Sequence, residues 1–194
     1  FYPLDSFIIM EQIDQRYLVQ QNKISDGETK PPVFAKVMRS KEGVFEGVSF
    51  IKSKEKEIPE QTIKETAEAT ATFSRAWKLG LQSTDVFYVK PEQVTKQARP
   101  GEFLGKGAFM VYGKTNYVQN TINLAIGTTE EKKIMAGPLS AVQKHCKQFL
   151  VLKQGSEKAS DIAKKIRHLL DKELELDDII KTLPAGQFAL VKTK

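Results

Sequence analysis

Between residues 59 and 113 the apolar pattern changes period once, and that change admits few architectures. Ile63, Ala67, Thr70, Ser74 and Trp77 recur at helical spacing, and Phe73 widens the stripe. Pro59 suits the first helical position, where its locked φ and missing N–H cost nothing, and Gly80 suits the end. Beyond Gly80 the period shortens. Residues 85–90 are aromatic and β-branched and stop at Pro91, and residues 108–113 form a second short run between Gly107 and Gly113. Upstream, residues 6–10 and 16–20 read as a hairpin, residues 24–32 (ISDGETKPP) as a loop, and residues 33–38 and 44–52 as further strands. Strands, one long helix and strands again define an α+β class with a mixed or antiparallel sheet.

The pattern changes again after Tyr117. Residues 121–126 and 132–136 suggest a hairpin around Gly127, residues 139–146 a short helix and 148–153 a strand. Residues 156–172 predict an amphipathic helix with Ile162, Ile166, Leu169 and Leu170 on one face. A brief helix over 176–183 and a strand over 188–191 follow. A chain of 194 residues makes one domain or two small ones. The expected division is a module over 1–118 and a smaller α+β part over 119–194.

Thirty basic residues against 24 acidic ones leave a formal charge of +6, a lean toward anionic partners. The single cysteine, Cys146, excludes an internal disulfide and fits a reducing, cytoplasmic setting. It reads as a small buried residue near a helix end. No apolar run is long enough to cross a bilayer and no signal-peptide pattern is present, so no membrane partner is expected. The chain opens on Phe1, which reads as a piece of something longer.

Enzyme readings lack material. His145 and His168 have no metal-ligand partner at useful spacing, the nucleophile-elbow and phosphate-loop spacings are absent, and Glu55, Glu57 and Glu60 read as a solvated turn and helix start. No catalytic residue, metal ligand or cofactor site is expected. Residues 73–117 instead mix aromatics, glycines and cations. Lys106 stands between two glycines and Gly113 precedes Lys114, so backbone amides can face an anion beside an ammonium. Lys90, Lys96 and Arg99 join that rim if strands 85–90 and 108–113 are neighbours. Tyr88 and Tyr112 are the base-stacking candidates, because a phenol tolerates water. Phe87 and Phe109 are assigned to the core, Trp77 to packing, and Arg75 to the polar side of the helix, facing RNA or solvent. With Gln93 and Asn116, the candidate RNA-contacting set is Arg75, Tyr88, Lys90, Gln93, Lys96, Arg99, Lys106, Tyr112, Lys114 and Asn116. A second anion candidate, residues 153–165, runs from a strand through Gly155 into a helix start; the competing reading is ordinary capping by Ser156.

The order of three blocks, FSRAW, VFYVKPEQVTK and GEFLGKGAFMVYGKTNY, resembles the RNA-binding module of the NFACT family, the ribosome-associated quality-control factors. Residues 7–22 (FIIMEQIDQRYLVQQN) are similar to that module's opening hairpin, and IPEQTIKETAEATATFSRAW to its long helix. The likeness covers residues 5–118. It implies a non-catalytic, cytoplasmic module that touches tRNA or large-subunit ribosomal RNA, with ribosomal proteins as further neighbours. The chain departs from the family where a helix normally follows the hairpin, and where Phe34-Ala35-Lys36-Val37 replaces a His-x-Asp pair. Two alternatives are a protein-docking module that keeps the fold without RNA binding, and an RNA-processing enzyme whose carboxylates meet only in three dimensions.

Overall fold

The structure, a computed structural model, describes residues 33–37, 48–51, 58–95, 97–104 and 110–191. The expected hairpin of residues 6–20, the loop of 24–32, and Lys96, Lys106 and Phe109 lie outside them. Among the described residues the chain builds β1 (Val33–Val37), β2 (Val48–Ile51), α1 (Glu60–Thr72), α2 (Arg75–Lys78), β3 (Val86–Val89), β4 (Val94–Thr95), β5 (Met110–Val111) and β6 (Asn116–Val118). There follow β7 (Leu124–Thr129), β8 (Ile134–Gly137), α3 (Leu139–His145), β9 (Cys146–Glu157), α4 (Ala159–Leu169), α5 (Leu176–Lys181) and β10 (Phe188–Leu190). Two antiparallel sheets result, in the orders β2-β1-β3-β6 and β10-β9-β7-β8, with β4 and β5 as a separate ribbon. The fold is α+β, as the change of period implies. None of the described helices is long and apolar enough to cross a membrane.

Helix α1 lies on the first sheet. Ala67 and Ala71 pack with Ala76 and Val86, and Leu81, Val118 and Ile122 close the cluster. Small side chains let the helix approach the strand closely, and the hydroxyls of Thr66 and Thr70 are satisfied by the carbonyls of Thr62 and Thr66 one turn back. Pro59 takes the cap position, one residue earlier than expected. The predicted stripe does not run unbroken to Trp77. The helix stops at Thr72, and Ser74 restarts it: its Oγ accepts from the Ala76 N–H at 3.1 Å and donates to the Ala71 carbonyl at 2.7 Å. Gly80, at φ +73°, follows α2 as expected.

That break sends Trp77 into the second sheet. Its ring joins Leu124, Ile126, Leu152 and Phe188 from the strands and Ile162, Ala163, Ile166 and Ile179 from α4 and α5. Helix α3 covers the opposite face through Ala125, Met135, Val142 and Cys146. Trp77 is thus the packing anchor that its sequence position suggests. Further bonds join the two sheets: Trp77 Nε1 to the Gln187 carbonyl (3.2 Å), Gln154 Nε2 to the Leu81 carbonyl (2.8 Å) and Thr72 Oγ1 to the Asn123 carbonyl (3.0 Å).

Three expectations for this half need correction. Gly127 pairs with Met135 inside the β7–β8 ladder instead of making the turn. A side chain at this position would strike the Gln148 carbonyl oxygen at 2.6 Å. Leu169 is 53% exposed, off the buried face held by Ile162 and Ile166. The third concerns Gly155 and Ser156, which continue β9, with Gly155 N–H bonded to the Gln187 carbonyl. The helix begins only after Lys158, so Ser156 does not cap it.

Candidate nucleic-acid interface

Strand β3 ends at Val89, and residues Pro91–Gln93 form one turn of tight helix before β4. The Gln93 side chain organises the ribbon beyond this turn. Its Oε1 accepts from the Lys90 N–H (3.0 Å), while its Nε2 donates to the carbonyls of Tyr112 (3.0 Å) and Lys114 (2.8 Å). The Gln93 backbone carbonyl accepts from the Tyr112 N–H at 2.9 Å, extending the β4–β5 ribbon in which Val94 faces Val111. Gly113 sits at φ +91°, where a side chain would be strained and would press on the Gln93 amide at 3.1 Å.

Among the described residues, β3 and β5 are therefore not ladder neighbours, contrary to the condition set by the sequence. β3 pairs with β1 and β6, and β5 pairs with β4. A side-chain amide joins them instead, and it holds the backbone of Lys90 and Lys114 on either side of itself. Both lysines are exposed. The Gln93 amide, counted from sequence as an RNA contact, is engaged with backbone at both ends.

The next unit is the turn Arg99-Pro100-Gly101-Glu102. The Glu102 N–H returns to the Arg99 carbonyl at 3.0 Å and Gly101 takes φ +85°, the chemistry of a type II turn with proline and glycine at its centre. Glu102 Oε2 accepts from the Arg99 N–H (3.0 Å) and from the Tyr112 hydroxyl (2.5 Å). The Arg99 guanidinium lies over the Tyr112 ring, 4.0 Å from its centroid. The tyrosine hydrogen bond, the Arg99 N–H and the Arg99 charge hold the Glu102 carboxyl below its ordinary value. The same tyrosine–carboxylate bond, with desolvation, raises the phenol of Tyr112. The pair thus stays carboxylate and phenol across the neutral range. One face of Tyr112, a stacking candidate by sequence, is already occupied by Arg99.

Directly after this turn stands Phe103, 91% exposed. Sequence reasoning assigned it no role, and it is on no strand. The available signal was its place after a Pro-Gly turn, which releases a residue from alternation.

The other candidates lie apart. Tyr88 is half-buried in β3, two residues from Val86 and so on the sheet face that carries α1, with Asn116 opposite it on β6. Phe87 is buried on the other face, as expected, its ring 6.0 Å from that of the exposed Tyr117. Arg75 is exposed at the start of α2. The candidate set thus resolves into a tied group (Lys90, Gln93, Arg99, Tyr112, Lys114), a sheet pair (Tyr88, Asn116) and Arg75.

The second candidate, residues 153–165, loses its glycine turn to β9, and two of its four lysines meet local carboxylates: Lys165 pairs with Glu157 at 2.5 Å and Lys164 with Asp161 at 3.9 Å. Cys146 is buried at the end of α3, and burial pushes its thiol up to about 11. Among the described residues, no three or more His, Cys, Asp or Glu side chains gather as a metal site.

Residues 33–113 match the family model described as the NFACT protein RNA binding domain. The matched segment contains Lys90, Gln93, Arg99 and Tyr112, and Lys114 stands one residue beyond it. The chain is also 35% identical over 155 residues to the archaeal Rqc2 homolog aRqcH of Methanocaldococcus jannaschii, an alignment covering 76% of this chain and 23% of that protein. It is 37% identical over 62 residues to the ribosome quality control complex subunit NEMF homolog of Drosophila melanogaster, covering 32% of this chain and 6% of that one. The chain therefore spans under a quarter of either relative, and the family match contains FSRAW, VFYVKPEQVTK and all but the last four residues of GEFLGKGAFMVYGKTNY.

Proposed function

We propose that this chain is the RNA-binding part of a ribosome quality-control factor, acting in the cytoplasm, and that it holds the phosphate backbone of tRNA or large-subunit ribosomal RNA without performing chemistry. The reading rests on one observation above all: at the end of the segment that matches the NFACT RNA-binding domain, the Gln93 amide fastens Lys90 and Lys114 to one short ribbon. Two ammonium groups carried on a braced backbone can neutralise phosphates, and such contacts position RNA without reading its sequence. Lys96 and Lys106 lie on the chain between them and add two further cations to this stretch of the sequence. Residues 119–194 are a smaller α+β subdomain beside the RNA-binding module, and ribosomal proteins are further neighbours of the chain. The relatives' names, an Rqc2 homolog and a ribosome quality control complex subunit, point to the same process.

The test is tRNA binding by fluorescence anisotropy across a salt series. Changing Lys90, Lys96, Lys106 and Lys114 together to Ala is expected to weaken binding and to flatten the plot of log K against log salt. The slope should change by roughly 0.7–0.9 for each phosphate the variant no longer neutralises. An unchanged slope and affinity would hand the domain to a protein-docking role.

A further inference from the structure

Charge alone does not account for the turn at residues 99–103. The charge of Arg99 already acts on Glu102, and its guanidinium lies over the Tyr112 ring. A phosphate would have to compete with that carboxylate. The outward face of the guanidinium is what the arrangement leaves to a ligand. Directly after this turn in the chain, Phe103 stands at 91% exposure; within the turn Pro100 fixes φ, Gly101 supplies the positive φ, and three bonds close the loop: Glu102 N–H to Arg99 carbonyl, Arg99 N–H to Glu102 carboxylate, and Tyr112 hydroxyl to Glu102 carboxylate. A phenylalanine held that far into water by a rigid turn contributes nothing to the core. It is preorganised for a flat apolar partner.

We infer that the 99–103 turn is a stacking site for an unpaired nucleobase, with Phe103 as its apolar platform and the Tyr112-backed Arg99 guanidinium as its second flat surface. The inference rests on the RNA-binding reading and sharpens it: the preferred ligand is RNA with splayed-out bases, a loop, bulge or single strand, and not a continuous duplex. Bases in a duplex are already stacked on one another, whereas a single-stranded base offers its π-face to aromatic side chains and Arg planes.

The experiment compares the full 194-residue chain on two RNAs of equal length, a hairpin with an unpaired purine loop and a continuous duplex. Phe103→Ala is expected to weaken hairpin binding roughly tenfold to a hundredfold while leaving duplex binding and the salt slope unchanged. Phe103→Trp is expected to restore hairpin binding, with its indole fluorescence quenched on RNA addition. Arg99→Lys, which keeps charge but loses the plane, is expected to weaken hairpin binding as well. Far-ultraviolet circular dichroism verifies that each variant folds. If Phe103→Ala binds the hairpin like the parent, or weakens hairpin and duplex equally, stacking is overturned. If it weakens capture of ribosomal proteins and leaves RNA affinity alone, Phe103 belongs to a protein contact and stacking is equally overturned. A parent salt slope that the four lysine changes flatten, combined with a silent Phe103→Ala, removes stacking alone; a parent with no salt-dependent RNA binding removes both readings.

Discussion

Gln93 uses both ends of one amide to hold three backbone groups, and an isosteric change separates those roles. Gln93→Glu keeps an acceptor for the Lys90 N–H but replaces the donor that serves the carbonyls of Tyr112 and Lys114, setting a carboxylate against two oxygens. Urea denaturation is expected to show a loss of about 1–3 kcal/mol, the range for unmaking hydrogen bonds at partly buried groups, and RNA affinity should fall with it. Equal stability in parent and variant would mean that the amide does not brace the ribbon. Lys90, Arg99 and Lys114 were visible in the sequence as cations near glycines and prolines. Their shared support was not, because the Gln93 side chain reaches residues 19 and 21 positions away, and no local pattern encodes that.

At the level of elements, β9 and the break between α1 and α2 show packing and capping overriding period. The approach of β10 to β9 leaves no room at Gly155: an added Cβ would meet the Phe188 carbonyl oxygen at 2.5 Å and the Ala189 Cβ at 2.6 Å. Backbone atoms cannot swing aside, so Gly155→Ala must open the strand pair. The expected loss is about 1–3 kcal/mol, typical of an overpacked site, with faster amide exchange at residues 188–190 as the local sign. An alanine variant as stable as the parent would show that β10 can shift freely. The glycine was legible in sequence as punctuation, and punctuation was the wrong inference: close approach of a neighbouring strand asks for the same residue as a turn does. At Ser74 the hydroxyl that could have continued a helix surface instead caps a new one, a competition that spacing alone does not resolve.

Across the molecule, Trp77 decides how the two sheets are joined. It leaves the first sheet's helical segment, fills the core of the second at 2% exposure, stacks 5.6 Å from Phe188 and donates to the Gln187 carbonyl. Trp77→Ala should remove about 3–5 kcal/mol, the usual range for a large core aromatic, and should separate the unfolding of the two sheets into distinguishable phases. Trp77→Phe keeps most of the ring and loses the N–H bond, so its deficit should be nearer to about 1 kcal/mol. A single shared transition in Trp77→Ala would show that the other contacts between the sheets suffice to couple them.

By itself the sequence determined the class of fold and most of the element positions, and it pointed to the kind of ligand proposed. Period, glycine, proline and charge are local properties, and FSRAW, VFYVKPEQVTK and GEFLGKGAFMVYGKTNY carry the family signature in one continuous run. Tertiary structure alone decided that β3 and β5 belong to different sheets, that Gly127 and Gly155 are strand residues, that Arg99 rests on Tyr112, and that Phe103 faces water. Each of those outcomes depends on atoms brought together across the chain, where what occupies the neighbouring space, not what precedes a residue, sets its role.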